Sequence, residues 1–262
     1  MMHLLKIEWL KIKNYKSFYL MVGLIVGLLA IVNLFIKTNI EKVMGLNGIA
    51  IFSESYSFPG IWKTVGFHYS WIILFSIIII VNNIANEYSF KTIRQNIIDG
   101  MSRNEYLLAK TYFIVSMTLF FTLCYTLVCV LLGLTNGVSG IFDEMQYILY
   151  VFVYTLCLYS IAFLFVLFIK KSSMSIIIFF VYMLLENGLS SYINFKTGSA
   201  YGNLLPLQCG DALLPSASLE KVKNLTNLNS QDFDKPIYAA ACMGYAIIAF
   251  FIAKKKIENS DL

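Results

Sequence analysis

Arg94 and Arg103 are the only two arginines in a chain that carries 18 lysines, and both fall in one charged stretch, residues 87–110 (EYSFKTIRQNIIDGMSRNEYLLAK). A guanidinium presents five donors in a planar fork that can hold a carboxylate bidentately; for Arg103 the other reading is snorkelling to phosphate at the membrane surface. Among the long apolar runs, Glu186 is the only acidic residue, and Asn187 follows it. An ionised carboxylate inside a membrane costs about 2.5–3.5 kcal/mol on insertion scales, so Glu186 should face a cavity or a partner. The motifs of catalysis are missing. No G-x-x-x-x-G-K-[ST] phosphate loop and no H-E-x-x-H occur, and the only histidines are His3 and His68. Residues 137–140 have G-x-S-G spacing, but no histidine lies in a span centre to serve as base.

These groups have to be positioned by a membrane scaffold. The 262 residues are 58% hydrophobic and 13% charged, with a mean hydropathy of +0.71, more apolar surface than a soluble core needs. Apolar runs fall near 18–36, 67–86, 111–134, 146–169, 173–193 and 237–253. Each approaches the length that crosses a ~30 Å hydrocarbon layer at ~1.5 Å per residue, the last being the shortest and in need of tilt or thinning. Lipid offers no hydrogen-bond partners and no run alternates with period two, so the expectation is an all-α integral membrane protein with six transmembrane helices in a single domain, 1–262.

The net charge of +5 sorts by membrane side and forms no nucleic-acid-binding face. With the N-terminus inside, segments 1–17, 87–110, 170–172 and 254–262 hold 13 of the 20 Lys and Arg. The positive-inside rule then places both termini in the cytoplasm of a multi-pass protein. The first run is too long for a cleaved signal and reads as a permanent span. Lysine-rich, arginine-poor usage points to an AT-rich bacterial genome, hence to the bacterial cytoplasmic membrane. Of the five cysteines, four lie in expected spans and Cys209 in a loop, which argues against an intrachain disulfide; no spacing suggests a metal site.

Local patterns refine the picture. Leu5, Trp9 and Ile12 share a face in residues 1–17, which reads as an interfacial helix with snorkelling lysines. In 87–110, a helix beginning at Glu87 would place Phe90, Ile93 and Ile97 on one face, and Asp99-Gly100 would end it. Ser102 followed by Glu105 is a capping box that starts the third span. Gly23 and Gly27 stand at GxxxG spacing for a close helix contact. Residues 194–236 hold short apolar pieces broken by Pro206, Gly210 and Pro215, read as re-entrant helices before the last span. Asn82 and Asn83 would tie helices together, and Thr118, Thr122 and Thr126 would bond their own backbone. Tyr147 and Tyr150 read as an outer aromatic belt, and Tyr154 joins Glu186 and Asn187 as a candidate for a pathway.

The pattern Glu87-x3-Lys91-Thr92-x-Arg94, then Asp99-Gly100-Met101-Ser102-Arg103 and Lys110, resembles the loop between the second and third spans of ABC transporter permeases of the ABC-type-two export superfamily. The six spans, the N-terminal surface helix and the long last loop fit the ABCG-like transmembrane fold. Two positions depart from the family pattern: Lys91 stands where glycine is common, and Gly100 where proline is. The resemblance implies that 87–110 is a coupling helix docking on a separate ATPase, through Glu87, Ser89, Phe90, Lys91, Arg94, Ile97, Asp99, Gly100, Ser102 and Arg103. It further implies two ATPase subunits that carry the ATP and Mg, a second permease, identical or similar, and no cofactor in this chain. The expected function is one half of an ATP-driven export path for an amphipathic cargo such as a peptide antibiotic, drug or lipid. Two other readings stand beside it: a non-transporting sensor or scaffold, and an ion-gradient transporter that uses Glu186.

Overall fold

The computed structural model describes residues 2–47, 56–137, 139–215 and 233–259. Among these there are α-helices and short 3-10 turns but no strand. The order is α1 (Met2–Ile12), α2 (Lys16–Asn47), α3 (Gly60–Ile73), α4 (Ile77–Ser89), α5 (Thr92–Ile98), α6 (Arg103–Gly133), α7 (Gln146–Ile169), α8 (Ser172–Thr197), α9 (Gln208–Leu213) and α10 (Lys235–Glu258). One 3-10 turn, Leu74–Ser76, joins α3 and α4 into a single span, and a second, Ala200–Leu204, precedes α9. Six helices are long and apolar enough to cross a membrane: within α2, α3 with α4, α6, α7, α8 and α10. The last has 24 residues, about 36 Å of helix, so it spans without the thinning its apolar run alone suggested.

Burial ranks the spans. The apolar window of the second span is 72% buried, whereas those of the first and fifth are 17% buried. The fourth span, α7, is the hub: α3, α4, α6, α8, α9 and α10 all pack on it. Its tyrosines therefore point inward. Tyr147 and Tyr150 are buried, not belt residues, and the Lys235 ammonium lies 4.8 Å from the Tyr147 ring centre. A Cβ added at Gly23 or Gly27 would meet nothing within 4 Å, so among the described residues no neighbouring helix packs closely on the GxxxG pair.

The hydroxyls of Thr118, Thr122 and Thr126 each donate to the carbonyl four residues back, at 2.8–2.9 Å. Asn82 accepts from Ser172 of the fifth span and Asn83 accepts from Lys110 of the third, so both asparagines do join helices.

The segment before the last span folds back onto the bundle. The turn at Ala200–Leu204 packs on α8, and α9 packs against α7 and α10. Cys209 thereby reaches the last span, its sulfur 2.9 Å from that of Cys242, both as free thiols. Gly210 allows a close approach: a Cβ there would sit 2.3 Å from the Tyr154 ring. Residues 216–232 of the expected re-entrant stretch lie outside the described residues.

Candidate functional site

The charged stretch occupies the end of the bundle that carries both chain termini. Its local structure differs from one helix starting at Glu87. The second span runs on to Ser89, the chain breaks at Phe90–Lys91, and α5 is a separate seven-residue helix. Lys91 is left-handed, at φ 55° and ψ 21°, a conformation costing an L-residue with a Cβ about 1–2 kcal/mol. This is the position where the sequence departs from glycine. The break takes Phe90 off the expected stripe: Phe90 is exposed, Ile93 is buried against the bundle, and Ile97 is half-buried. Gly100, at φ 100°, ends the element as its position suggested. The capping box is present, with the Ser102 side chain accepting from the Glu105 N–H and the Glu105 carboxylate accepting from the Ser102 N–H at 2.8 Å.

Ser89, Phe90, Lys91, Arg94, Asp99, Gly100, Ser102 and Arg103 are exposed. The Arg94 guanidinium has no ion pair among the described residues, and Arg103 donates to the Glu258 carbonyl at the end of the last span. Ile98, which the sequence reading passed over, is the most exposed apolar residue of α5, at 78%. A cleft of about 590 Å³ opens behind this element, between the start of α2, the inner side of α4 and α5, and is lined by Phe18, Asn86, Gln95 and Asn96 among others.

Glu87 is buried where Ser89, Lys91, Arg94 and Asp99 are exposed; it lines the cleft and forms the centre of an ion cluster. Its Oε1 accepts from Lys11 at 2.6 Å and from Lys110 at 2.8 Å. Glu8 completes the cluster, meeting Lys110 at 2.7 Å and Lys11 at 3.0 Å. Burial works against the Lys11 ammonium, but the Glu87 and Glu8 carboxylates outweigh it and hold its pKa above the usual value. Glu8 and Lys110 are almost fully enclosed, so each charge depends on the others.

This cluster also revises α1. Glu8 and Ile12 face the third span, while Trp9, expected on the same stripe as Ile12, is half exposed on the other side. The helix is docked on the bundle by charge. The available signal was Glu8 itself, the one acid among the four lysines of residues 1–17.

At the far end, the pathway candidates separate. Glu186 is buried and its Oε1 accepts the Leu207 N–H at 2.6 Å and the Gln208 N–H at 3.1 Å, so it pins the chain entering α9. Tyr154 and Asn187 instead line a small pocket of about 110 Å³ with Trp71, Met183 and Asp211. Tyr154 is buried in the wall and donates to the Ser70 carbonyl at 3.1 Å. Asn187 is exposed. Asp211 was not among the sequence candidates.

Residues 4–186 match the family model described as ABC-2 family transporter protein. No curated protein matches the chain.

Proposed function

The chain belongs to the ABC-2 family of transporter proteins, and on that premise we propose that it is the permease half of an ATP-driven exporter, coupled to a separate ATPase through residues 89–103. The observation that carries the reading is the joint at the terminal end. The exposed element holding Arg94 and Ile98 is continuous with Ser89 and Glu87, and Glu87 is ion-paired to α1 and α6. A push on α5 reaches three helices through those contacts, two of which open into spans. Arg94 offers a free guanidinium and Phe90 and Ile98 offer apolar knobs, a combination suited to a groove lined by carboxylates and apolar side chains. The Lys and Arg bias supports a cytoplasmic position for this face, where ATP is available.

A second permease supplies the other half of the path. The first, fifth and sixth spans are poorly covered, and the fifth carries the exposed Asn187 in its apolar stretch. An amide there is better placed against a partner or a wet path than against lipid. Two ATPase subunits would bind below the pair, carrying the nucleotide and its Mg.

The test is co-expression with a candidate ABC ATPase subunit from the same genome, followed by purification and assay of ATP turnover in liposomes. The complex should survive purification. Arg94→Ala with Arg103→Ala should lower coupled turnover about tenfold, the scale of one lost charge-assisted contact. If the chain elutes without a nucleotide-binding subunit, and the double variant leaves turnover intact, the exporter reading fails.

A further inference from the structure

The Asp211 carboxylate sits in the far-end pocket without an ion pair or a side-chain hydrogen bond among the described residues. Its neighbour Glu186 has two backbone donors; Asp211 has none of its own. No lysine or arginine lines the pocket. Trp71, Tyr154, Met183 and Asn187 line it, together with Ser70 and three leucines. Trp71 is 60% exposed and Asp211 is open on the side away from the bundle, so the site can be reached. Burial on its other side, reinforced by the nearby Glu186 carboxylate and Cys209 sulfur, pushes the Asp211 carboxyl up to about 7.

These groups agree on one ligand chemistry. Aromatic faces and a thioether attract a cation, an amide oxygen accepts from its N–H groups, and a lone carboxylate supplies the opposite charge. The volume of about 110 Å³ is only a few water molecules' worth, at about 30 Å³ each, which suits a head group and excludes a whole cargo molecule. Apolar side chains continue the surface beyond the pocket, with Leu184 and Val181 exposed on the same helix as Asn187.

We propose that Asp211, Asn187, Trp71 and Tyr154 form a binding site for the ammonium or guanidinium head of an amphipathic molecule. The site rests on the reading of this chain as a permease and narrows its cargo to cationic amphipaths. Glu186, the acid that the sequence singled out, acts as a positioning residue that holds the start of α9, and through it Asp211.

The experiment uses the full chain in phosphatidylcholine nanodiscs without its ATPase, titrated calorimetrically with octylamine and with octanol, and with empty discs as the blank. Octylamine should bind about tenfold more tightly than octanol. Asp211→Asn should erase that preference, and Asp211→Glu should keep most of it. Asp211 has no partner to lose, so both variants should elute as the parent does. The groups near Asp211 that can titrate are Glu186 from α8, Cys209 from α9 and Tyr154 from α7; α3 brings no charge. A raised carboxyl pKa means that the charged form is lost as pH falls. Octylamine, protonated at both values, should therefore bind about tenfold more tightly at about pH 8 than at about pH 6. Equal binding of amine and alcohol, or a preference that survives Asp211→Asn, overturns the proposal. Neither result touches ATP turnover, and a failure of ATPase coupling would leave the amine titration standing.

Discussion

At one end of the bundle Glu8 and Glu87 meet Lys11 and Lys110; at the other, Glu186 meets the backbone N–H groups of Leu207 and Gln208 and no cation among the described residues. Both arrangements bury carboxylates and both tie a short element to the spans. The first uses side-chain charges from three helices, so the elements are held to one another and the fields largely cancel. The second uses no cation: one carboxylate oxygen takes donors from a single turn of backbone, and the other is buried without a hydrogen-bond partner among the described residues. The difference shows in what is left over. The charged end has no buried carboxylate without a cation beside it, whereas the far end keeps Asp211 without one. On the proposed reading, a joint that transmits force is closed on itself, and a pocket that takes a cation leaves one charge unanswered.

Breaking the closed joint should have the largest effect. Lys110→Met leaves Glu8 and Glu87 sharing Lys11 alone, and should destabilise the fold by about 3–5 kcal/mol in SDS-titrated unfolding from mild detergent. The comparison sharpens in the paired variant Glu8→Leu with Lys110→Met, which removes one acid and one base together and should recover most of that loss. A paired variant no more stable than Lys110→Met would mean that the cluster does not act as a charge-balanced unit.

Gly210→Ala comes next, at about 1–3 kcal/mol, because the added methyl collides with the Tyr154 ring and has to lift α9 from the hub helix. Maleimide labelling of Cys209, buried in the parent, should rise while the charged end unfolds as before. Smallest is Glu186→Gln, about 1–2 kcal/mol, since an amide oxygen still accepts where the carboxylate did, more weakly. Amide hydrogen exchange at Leu207 and Gln208 should accelerate. Unchanged exchange there would show that Glu186 does not hold the start of α9.

The spans were legible because about 20 apolar residues in succession have one structural solution in lipid. The Ser102–Glu105 cap and the Gly100 stop were legible too, since each is decided within four residues. The helix break at Phe90–Lys91 was not: a lysine in a left-handed conformation has no local signature, and apolar spacing read straight across it. Nor was the use of the acids. The spacing of Glu186 said that it needed a partner, but the partner is backbone about 20 residues away, brought back by α9 folding onto α7 and α10. Asp211 looked like an ordinary loop acid until the same fold set it beside Trp71 and Tyr154. Glu8 was hidden by arithmetic, because counting only Lys and Arg for topology discards the one acid that explains where the helix docks.

The order of residues in the ion cluster sets a schedule for making the protein. Glu8 and Lys11 leave the ribosome first and can pair with each other at once, being three residues apart on one helix. Glu87 and Lys110 arrive with the second and third spans. Until then the first helix carries a self-neutralised patch and waits at the membrane surface. The cluster closes when the hairpin of spans two and three is inserted in the right orientation, because a reversed hairpin would put Lys110 and Glu87 on the wrong side. An inverted hairpin would therefore leave Glu8 and Lys11 with each other alone.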